Sequence, residues 1–195
     1  MQSQTFVFYG IAGAGKGTQI KLLTELLKNK TGLDTVYASP GNEYRRITQS
    51  DDYIGSLVKG PLSRGELLPG FLTDAIMANI FISFLTPEKN LIADGYPRAV
   101  DQSVSFEKMI EFFERENVNI IYIEISKEEA VRRLKKRGRH DDTDEGITKR
   151  FDEYVKSVVP SMNYFKGKKG YTIYTINGEQ SVEDVHKDIV KALEF

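Results

Sequence analysis

Residues 10–19 of the chain form a glycine-rich segment, GIAGAGKGTQ, whose residue types suit the binding of phosphate. An apolar run at residues 5–9 precedes it and an amphipathic run at residues 20–27 follows it, which is the order strand, loop, helix. The glycines let several backbone N–H groups point into one concavity, and the helix adds the positive end of its dipole. Lys16 supplies a cation for phosphate oxygens, and Thr18 supplies a hydroxyl for Mg²⁺ or phosphate. The segment therefore predicts a phosphate-binding loop rather than an ordinary glycine-rich turn.

A second group of residues begins with Asp94, at the end of the apolar run 91–93, and continues with Gly95, Tyr96, Pro97, Arg98 and Gln102. In enzymes with a phosphate-binding loop, an aspartate at this place holds the magnesium shell. The glycine permits an unusual backbone, and the proline makes the bond before it a candidate for the cis form. A strand followed by a common Asp-Gly turn is the alternative interpretation.

A third group is basic and consists of Arg133, Arg137, Arg139 and Arg150. Arg133 and Arg137 are four residues apart and share a helix face. Taken alone, the group is explained best as a solvated basic helix. The transfer of a phosphoryl group between two nucleotides, however, crowds negative charge into one site, and planar guanidinium groups suit that task better than lysine does.

The elements that must position these groups alternate between strand-like and helix-like runs, which predicts an α/β fold with a parallel sheet. The predicted strands are residues 5–9, 35–38, 91–93, 120–125 and 171–176. The predicted helices are residues 17–30, 70–85, 103–116, 127–137, 147–165 and 182–193. Two polar segments interrupt the alternation, at residues 39–69 and 138–146.

Composition narrows the functional classes. The 195 residues carry 27 basic and 28 acidic side chains, so nothing indicates a protein that binds nucleic acid. The chain has no cysteine, which excludes disulfides, thiolate catalysis and cysteine-based zinc sites. We find no signal peptide and no apolar run as long as a membrane span, so we expect one cytoplasmic domain that does not bind membranes.

The strings GKGTQ at residues 15–19 and DGYPR at residues 94–98, with Gln102 at the expected spacing, resemble adenylate kinases among the nucleoside monophosphate kinases. In that family the arginine of DGYPR holds the α-phosphate of the acceptor, and the glutamine contacts adenine. Ala12 stands where a proline is common, which affects only the stiffness of the loop. The arginines also match the family pattern, as R-L-x-x-R, R-x-D-D and an arginine in the next helix.

The resemblance implies a role for each matching residue. The implied catalytic residues are Lys16, Arg98, Arg137, Arg139 and Arg150. The implied donor site for ATP contains Gly13, Ala14, Gly15, Lys16, Gly17, Thr18, Arg133, Arg137 and Gln180. The implied acceptor site for AMP contains Pro40, Gly41, Arg45, Glu66, Leu67, Leu68, Gly95, Tyr96, Pro97, Arg98, Gln102, Arg139 and Arg150. Thr18, and Asp94 through a water, are the implied Mg²⁺ ligands, and no structural zinc is expected.

The resemblance also implies the architecture and the reaction. The expected fold is a phosphate-loop kinase domain over residues 1–195, with a five-stranded parallel sheet flanked by helices. An acceptor-nucleotide insert is expected at residues 39–68 and a short lid at residues 138–145. The implied reaction is Mg²⁺-dependent and converts ATP and AMP into two ADP.

Two alternatives to this function stay open. The first is a UMP/CMP kinase or a kinase of broad acceptor specificity. Gln102 argues against it, because pyrimidine kinases of this group usually carry asparagine there, whereas Pro40 keeps it open, because it lacks the hydroxyl of the family threonine. The second is a non-enzymatic nucleotide-binding switch, in which Arg45, Arg98 and Arg139 would have no use.

The apolar run at residues 71–85 contains one charged residue, Asp74. On a helical wheel its polar residues fall in separate sectors, so that no face of the helix is polar. A large apolar face on a small domain usually marks a partner site. We therefore predict a homo-oligomer that uses this helix; coverage of the helix by its neighbours is the alternative.

Overall fold

A single parallel sheet is the centre of the molecule, which is a computed structural model that describes residues 3–138 and 143–195. Its strands are β1 (Thr5–Tyr9), β2 (Thr35–Ala38), β3 (Asn90–Asp94), β4 (Val118–Glu124) and β5 (Tyr171–Asn177). They lie in the order β2-β3-β1-β4-β5, so that β1 is the middle strand. The predicted α/β fold with a five-stranded parallel sheet is confirmed.

Helices cover both faces of the sheet. In the described residues they are α1 (Lys16–Thr31), α2 (Pro40–Ile47), α3 (Tyr53–Ser63), α4 (Gly70–Phe84), α5 (Val100–Phe112), α6 (Lys127–Arg137), α7 (Asp144–Glu153), α8 (Val159–Asn163) and α9 (Val182–Ala192). No helix in these residues is long and apolar enough to cross a membrane.

Strand β1 is buried along its whole length because both of its faces are covered. Phe6 and Phe8 point into one core, which α1, α6, α7 and α9 complete. Val7 and Tyr9 point into the other core, which α4 and α5 complete. The alternation of side chains along the strand therefore places β1 residues in both cores.

Two helices begin at the serines whose spacing to an acidic residue is typical of a capping box. The Ser126 hydroxyl accepts a hydrogen bond from the Glu129 backbone N–H at the start of α6. The Ser181 hydroxyl accepts one from the Asp184 backbone N–H at the start of α9. These caps set the first turns of both helices, and α6 carries two of the predicted phosphate-binding arginines.

The helix predicted over residues 147–165 is present as an unbroken helical run over residues 144–163, but its geometry changes inside the run. The structure has α7, then a π-helical segment at Tyr154–Val158, then the short helix α8. Pro160 lies at the first turn of α8 and has no backbone N–H, so it cannot donate the α-helical hydrogen bond to residue 156. The change of backbone geometry directly precedes this proline.

The polar insert at residues 39–69 contains two helices, α2 and α3, which the sequence analysis did not predict. They form a small apolar cluster of their own, in which Tyr44, Val58 and Leu68 are buried. Pro40 is the first residue of α2, where proline is favoured, and Asp52 caps α3 through the Gly55 backbone N–H. The insert is thus a folded unit that packs on α4.

Candidate active site

The glycine-rich loop connects β1 to α1, and close packing explains two of its glycines. Gly10 has a φ of +146°, and a Cβ there would lie 2.7 Å from the Ile123 carbonyl oxygen of β4. Gly13 has a φ of +90°, and a Cβ there would lie 3.0 Å from the Ala130 carbonyl oxygen of α6. The N-cap residue of α1 is Gly15, which has no side chain to bond the first N–H groups of the helix. These donors and the helix dipole make the loop an anion site.

Lys16 lies over this loop. Its ammonium group donates hydrogen bonds to the carbonyl oxygens of Gly10 at 2.6 Å and Ile11 at 3.2 Å. Burial lowers the pKa of Lys16 to about 8; Asp94 opposes this shift, and Arg98 and Arg137 add to it. The lysine therefore belongs to the same electrostatic site as all three of these residues.

Asp94 ends β3, and the register pairs it with Phe8 of the neighbouring strand β1, two residues before the loop. The Tyr37 hydroxyl of β2 donates a 2.7 Å hydrogen bond to its Oδ2 atom. Burial, with the charge of Asp94, raises the pKa of Tyr37 to about 12, so the phenol stays protonated and acts as a donor. The sequence analysis missed Tyr37, because its place beside Asp94 depends on the strand order.

The residues at the end of β3 and the start of α1 fit a magnesium ion whose other ligands are phosphate oxygens and water. Such a site takes only one or two carboxylates from the protein. Asp94 offers a half-buried carboxylate, and Thr18 offers an exposed hydroxyl in the first turn of α1. Within residues 3–138 and 143–195, no three side chains among His, Cys, Asp and Glu converge as a metal cage of their own.

The segment after Asp94 takes the backbone that its sequence indicated. Gly95 has a φ of +69°, and the Tyr96-Pro97 bond is cis. The Arg98 backbone N–H donates a 2.8 Å hydrogen bond to Oε1 of Gln102, which is buried. This bond fixes the orientation of the amide, and the Nε2 group has no hydrogen-bond acceptor among the residues that the structure describes.

The Tyr96 hydroxyl also anchors this segment. It donates a 2.8 Å hydrogen bond to Oδ1 of Asp74, the one charged residue of α4. Below it, the Tyr9 hydroxyl contacts the Ser161 hydroxyl at 3.0 Å, and Ser161 contacts Ser103 at 2.8 Å. These buried polar contacts connect the end of β1 with the start of α5, and the sequence analysis missed them.

Arginines from four elements surround the site. Arg98 interacts electrostatically with Arg45 of α2 and Arg150 of α7, besides Asp94. Arg137 of α6 interacts with Lys16. These arginines come from distant parts of the sequence and lie close enough to interact electrostatically; that they bind phosphates stays a prediction.

Arg133 is held beside the phosphate loop. Its guanidinium donates to Glu129 at 2.6 Å and to the Gly178 carbonyl oxygen at 2.8 Å. A Cβ at Gly15 would lie 3.9 Å from its Nη1 atom. The predicted Arg139 lies outside the described residues, as does half of the predicted lid at residues 138–145, since residues 139–142 are not described.

Several predicted residues have side chains with other partners. Gln180 donates to the Asn177 carbonyl oxygen and to Asp188, so its amide is bonded within its own turn and α9. Glu66 accepts hydrogen bonds from Arg64 and Lys149. Leu68 is buried in the apolar cluster of the insert, whereas Leu67 is half-buried. Their contact with a nucleotide stays a prediction.

Comparison with known proteins agrees with the geometry. The model of the family described as Adenylate kinase matches residues 8–170. The chain is similar to the adenylate kinase of Bacteroides fragilis, with 32% identity over 192 residues that cover 96% of this chain and 97% of that protein. It is also similar to the adenylate kinases of Bacteroides thetaiotaomicron, with 31% identity and the same coverage, and of Prochlorococcus marinus, with 31% identity over 94% of both chains. The resemblance found in the sequence is thus confirmed, and the chain belongs to the adenylate kinase family.

Proposed function

We propose that the site described above transfers a phosphoryl group reversibly from ATP to AMP, with two ADP as products. This is the reaction of the family to which the chain belongs. The observation that supports the assignment is that two sets of cationic side chains interact with each other electrostatically. Lys16 of the loop interacts with Arg98, and Arg98 interacts with Arg45 and Arg150. A nucleotide-binding switch needs the loop but has no use for the second set.

The donor half of the site is the phosphate loop. Its backbone N–H groups and the ammonium of Lys16 would bind the β- and γ-phosphates of ATP, with Arg133 and Arg137 nearby. When bound, Mg²⁺ supplies charge neutralisation between the donor phosphates, and Thr18 and Asp94 would hold it, Asp94 through a water. The chain's own contribution is therefore position and fixed positive charge, since this transfer needs little covalent chemistry from side chains.

The acceptor half is the group of arginines around Arg98. A guanidinium fork binds a phosphate through two parallel hydrogen bonds, so Arg45, Arg98 and Arg150 suit the α-phosphate of a nucleoside monophosphate. As the phosphoryl group moves, its charge spreads over three oxygens, and these arginines with Arg137 would neutralise that charge. Arg139 is proposed for the same task on the resemblance alone.

Gln102 supports adenine as the acceptor base. Its Oε1 atom already accepts the Arg98 backbone N–H, so the free part of the amide is its pair of N–H donors. Adenine offers an acceptor at N1, whereas guanine offers an N–H donor at that place and uracil offers one at N3. Facing donors repel each other, and an unpaired buried donor costs binding energy. The amide therefore favours AMP over GMP and UMP; cytosine, with an acceptor at N3, is the closer competitor.

A steady-state assay tests the proposal. With ATP as the donor, we expect kcat/KM to be largest for AMP, smaller for CMP, and smallest for GMP and UMP. Replacement of Gln102 by Ala should reduce the differences in kcat/KM among the four monophosphates more than it reduces the turnover with saturating AMP. A larger kcat/KM for UMP or GMP than for AMP would overturn the acceptor assignment. The absence of phosphoryl transfer to any monophosphate would favour the switch.

Three further features of the chain are proposed on less specific grounds. Residues 39–68 would move inward over the acceptor, and the lid at residues 138–145 would move inward over the donor. These movements would exclude water from the site.

The protein would act in the cytoplasm, without nucleic-acid or membrane partners. A second copy of the chain would bind the exposed apolar face of α4, where Phe71 and Ile82 are about three-quarters exposed.

A further inference from the structure

One ion pair connects the insert to the helix that carries Arg150. The Lys149 ammonium of α7 donates a 2.6 Å hydrogen bond to Oε1 of Glu66, which lies between α3 and α4. The two residues are 83 positions apart in the chain. Both side chains are partly shielded from water, with exposures of 38% and 31%.

The backbone beside this pair is in close contact with α7. Gly65 has a φ of +71°, and a Cβ there would lie 2.9 Å from the Gly146 carbonyl oxygen and 3.3 Å from Cγ of Arg150. A residue with a side chain would push the two segments apart. Because Gly65 has no side chain, the segment around it can lie against α7, and the ion pair holds the two segments in this contact.

The two sides of this contact differ in how they are anchored. Helix α7 is fixed to the main core, because Ile147 and Phe151 are buried there. The insert has its own small cluster around Tyr44 and Val58, which includes residues of α4 but none of α7. Glu66 and Gly65, and not this apolar cluster, therefore join the insert to α7, the helix that bears Arg150.

Glu66 is bonded to two cations, and only one of them belongs to α7. Glu66 is bonded to Arg64 as well as to Lys149, and these hydrogen bonds hold the pKa of its carboxyl at about 2. The carboxylate is thus ionised under all ordinary conditions. Arg64 belongs to the insert itself, so of the two cations only Lys149 bonds Glu66 to a different part of the fold.

We propose that Lys149 is a positioning residue, which holds the segment at residues 64–68 against α7 through Glu66 and so sets the distance between the insert and Arg150. The inference rests on the proposed function, because the acceptor phosphate is the group that both sides would contact. When the insert is already in place, less free energy is needed to order the acceptor site. This strengthens the binding of AMP and does not affect the binding of ATP.

A double-mutant cycle tests the inference. Lys149→Gln should raise the KM for AMP about fivefold, the size expected for a partly exposed ion pair, with kcat and the KM for ATP within twofold of the wild type. Glu66→Gln should raise the KM for AMP by a similar factor. The double variant should be no worse than the single ones. The exchanged pair Lys149→Glu with Glu66→Lys, made together with Arg64→Gln so that no second cation lies beside the new lysine, should recover most of the affinity. Arg64→Gln is the matched control, since it removes a cation from the same carboxylate without breaking the connection to α7.

Additive effects, no recovery in the exchanged pair, or equal losses for ATP and AMP would overturn the inference. A wild type that is inactive with AMP would instead overturn the proposed function. A measurement without substrate separates the two cases. The chain has no cysteine, so spin labels at Tyr53→Cys in α3 and Glu183→Cys in α9 would report the position of the insert. We expect a broader distance distribution in Lys149→Gln than in the wild type, and identical distributions would reject the tether.

Discussion

Lys16 tests the donor site at the scale of a single residue. Its ammonium contacts two loop carbonyl oxygens and no core side chain accounts for its position, so Lys16→Met should leave the unfolding midpoint unchanged. The turnover should fall at least about 100-fold, the usual loss when one charge-stabilising donor is removed. Turnover above a few per cent of the wild type would contradict the assignment of the loop.

The same lysine predicts a pH dependence. Because burial lowers its pKa to about 8, the neutral form accumulates above that pH and no longer attracts the phosphates of ATP. The kcat/KM for ATP, which reports the free enzyme, should therefore fall as the pH rises through about 8. The control is kcat/KM for AMP at saturating ATP, where bound phosphate keeps the ammonium charged. A flat profile for ATP up to pH 10 would show that the loop does not lower the pKa.

Arg98 tests the acceptor site. Arg98→Lys keeps the positive charge but loses the two-pronged geometry, so we expect kcat/KM for AMP to fall at least about 100-fold while the dissociation constant of ATP changes less than threefold. Titration calorimetry with ATP and initial rates with AMP measure the two effects separately. Equal kcat/KM for AMP in the variant and the wild type would place the acceptor phosphate elsewhere.

At the scale of elements, the glycines of the loop differ in what they do. Gly10→Ala should lower the free energy of unfolding by at least about 2 kcal/mol, because its Cβ would meet the Ile123 carbonyl oxygen at a φ that side chains rarely adopt. Gly17→Ala is the matched control, since a Cβ there meets nothing within 4 Å and the residue lies in α1. Urea denaturation without nucleotide should show this difference, and equal losses in both variants would contradict it.

The sequence predicted the strands well, since β1 and β2 have the predicted bounds and the other three differ by at most two residues at either end. Buried parallel strands leave a continuous apolar run that local reading detects. The helices of the insert were missed because α2 and α3 contain Pro40, Gly55, Gly60 and Pro61, and are stabilised by the cluster they form together. Local propensity carries no information about such packing.

The candidate site was predictable wherever a chain segment carries its own motif, as in the loop and in the segment from Asp94 to Gln102. The contacts that depend on neighbouring strands or helices were not predictable. Tyr37 reaches Asp94 only because β2 lies next to β3, and Lys149 meets Glu66 only because α7 packs beside the insert. A contact between residues that are far apart in the chain leaves no pattern in the sequence around either of them.

At the scale of the whole molecule, the exposed face of α4 predicts self-association. Phe71 and Ile82 are exposed on one face of the helix, whereas Met77 and Phe81 on another face are buried. Light scattering behind a sizing column should give a mass above the 22.1 kDa of one chain, and Ile82→Lys should reduce it to that value. Val155→Lys, at another exposed apolar residue, is the control. A wild-type mass near 22 kDa at micromolar concentration would reject the oligomer.

The central place of β1 also has a consequence for the order in which the chain folds. Thr5 pairs with Leu91 on one side and with Val118 on the other, so β1 pairs only with strands that are translated much later than β1 itself. Such distant pairings cost chain entropy before they form and slow the folding of parallel sheets. Two glycines that follow β1 lie close to the carbonyl oxygens of Ile123 in β4 and Ala130 in α6, so we expect the loop to take its final shape only once these segments are present. We therefore expect affinity for ATP to arise only after β4 and α6 have been synthesised, although the loop motif is translated before them.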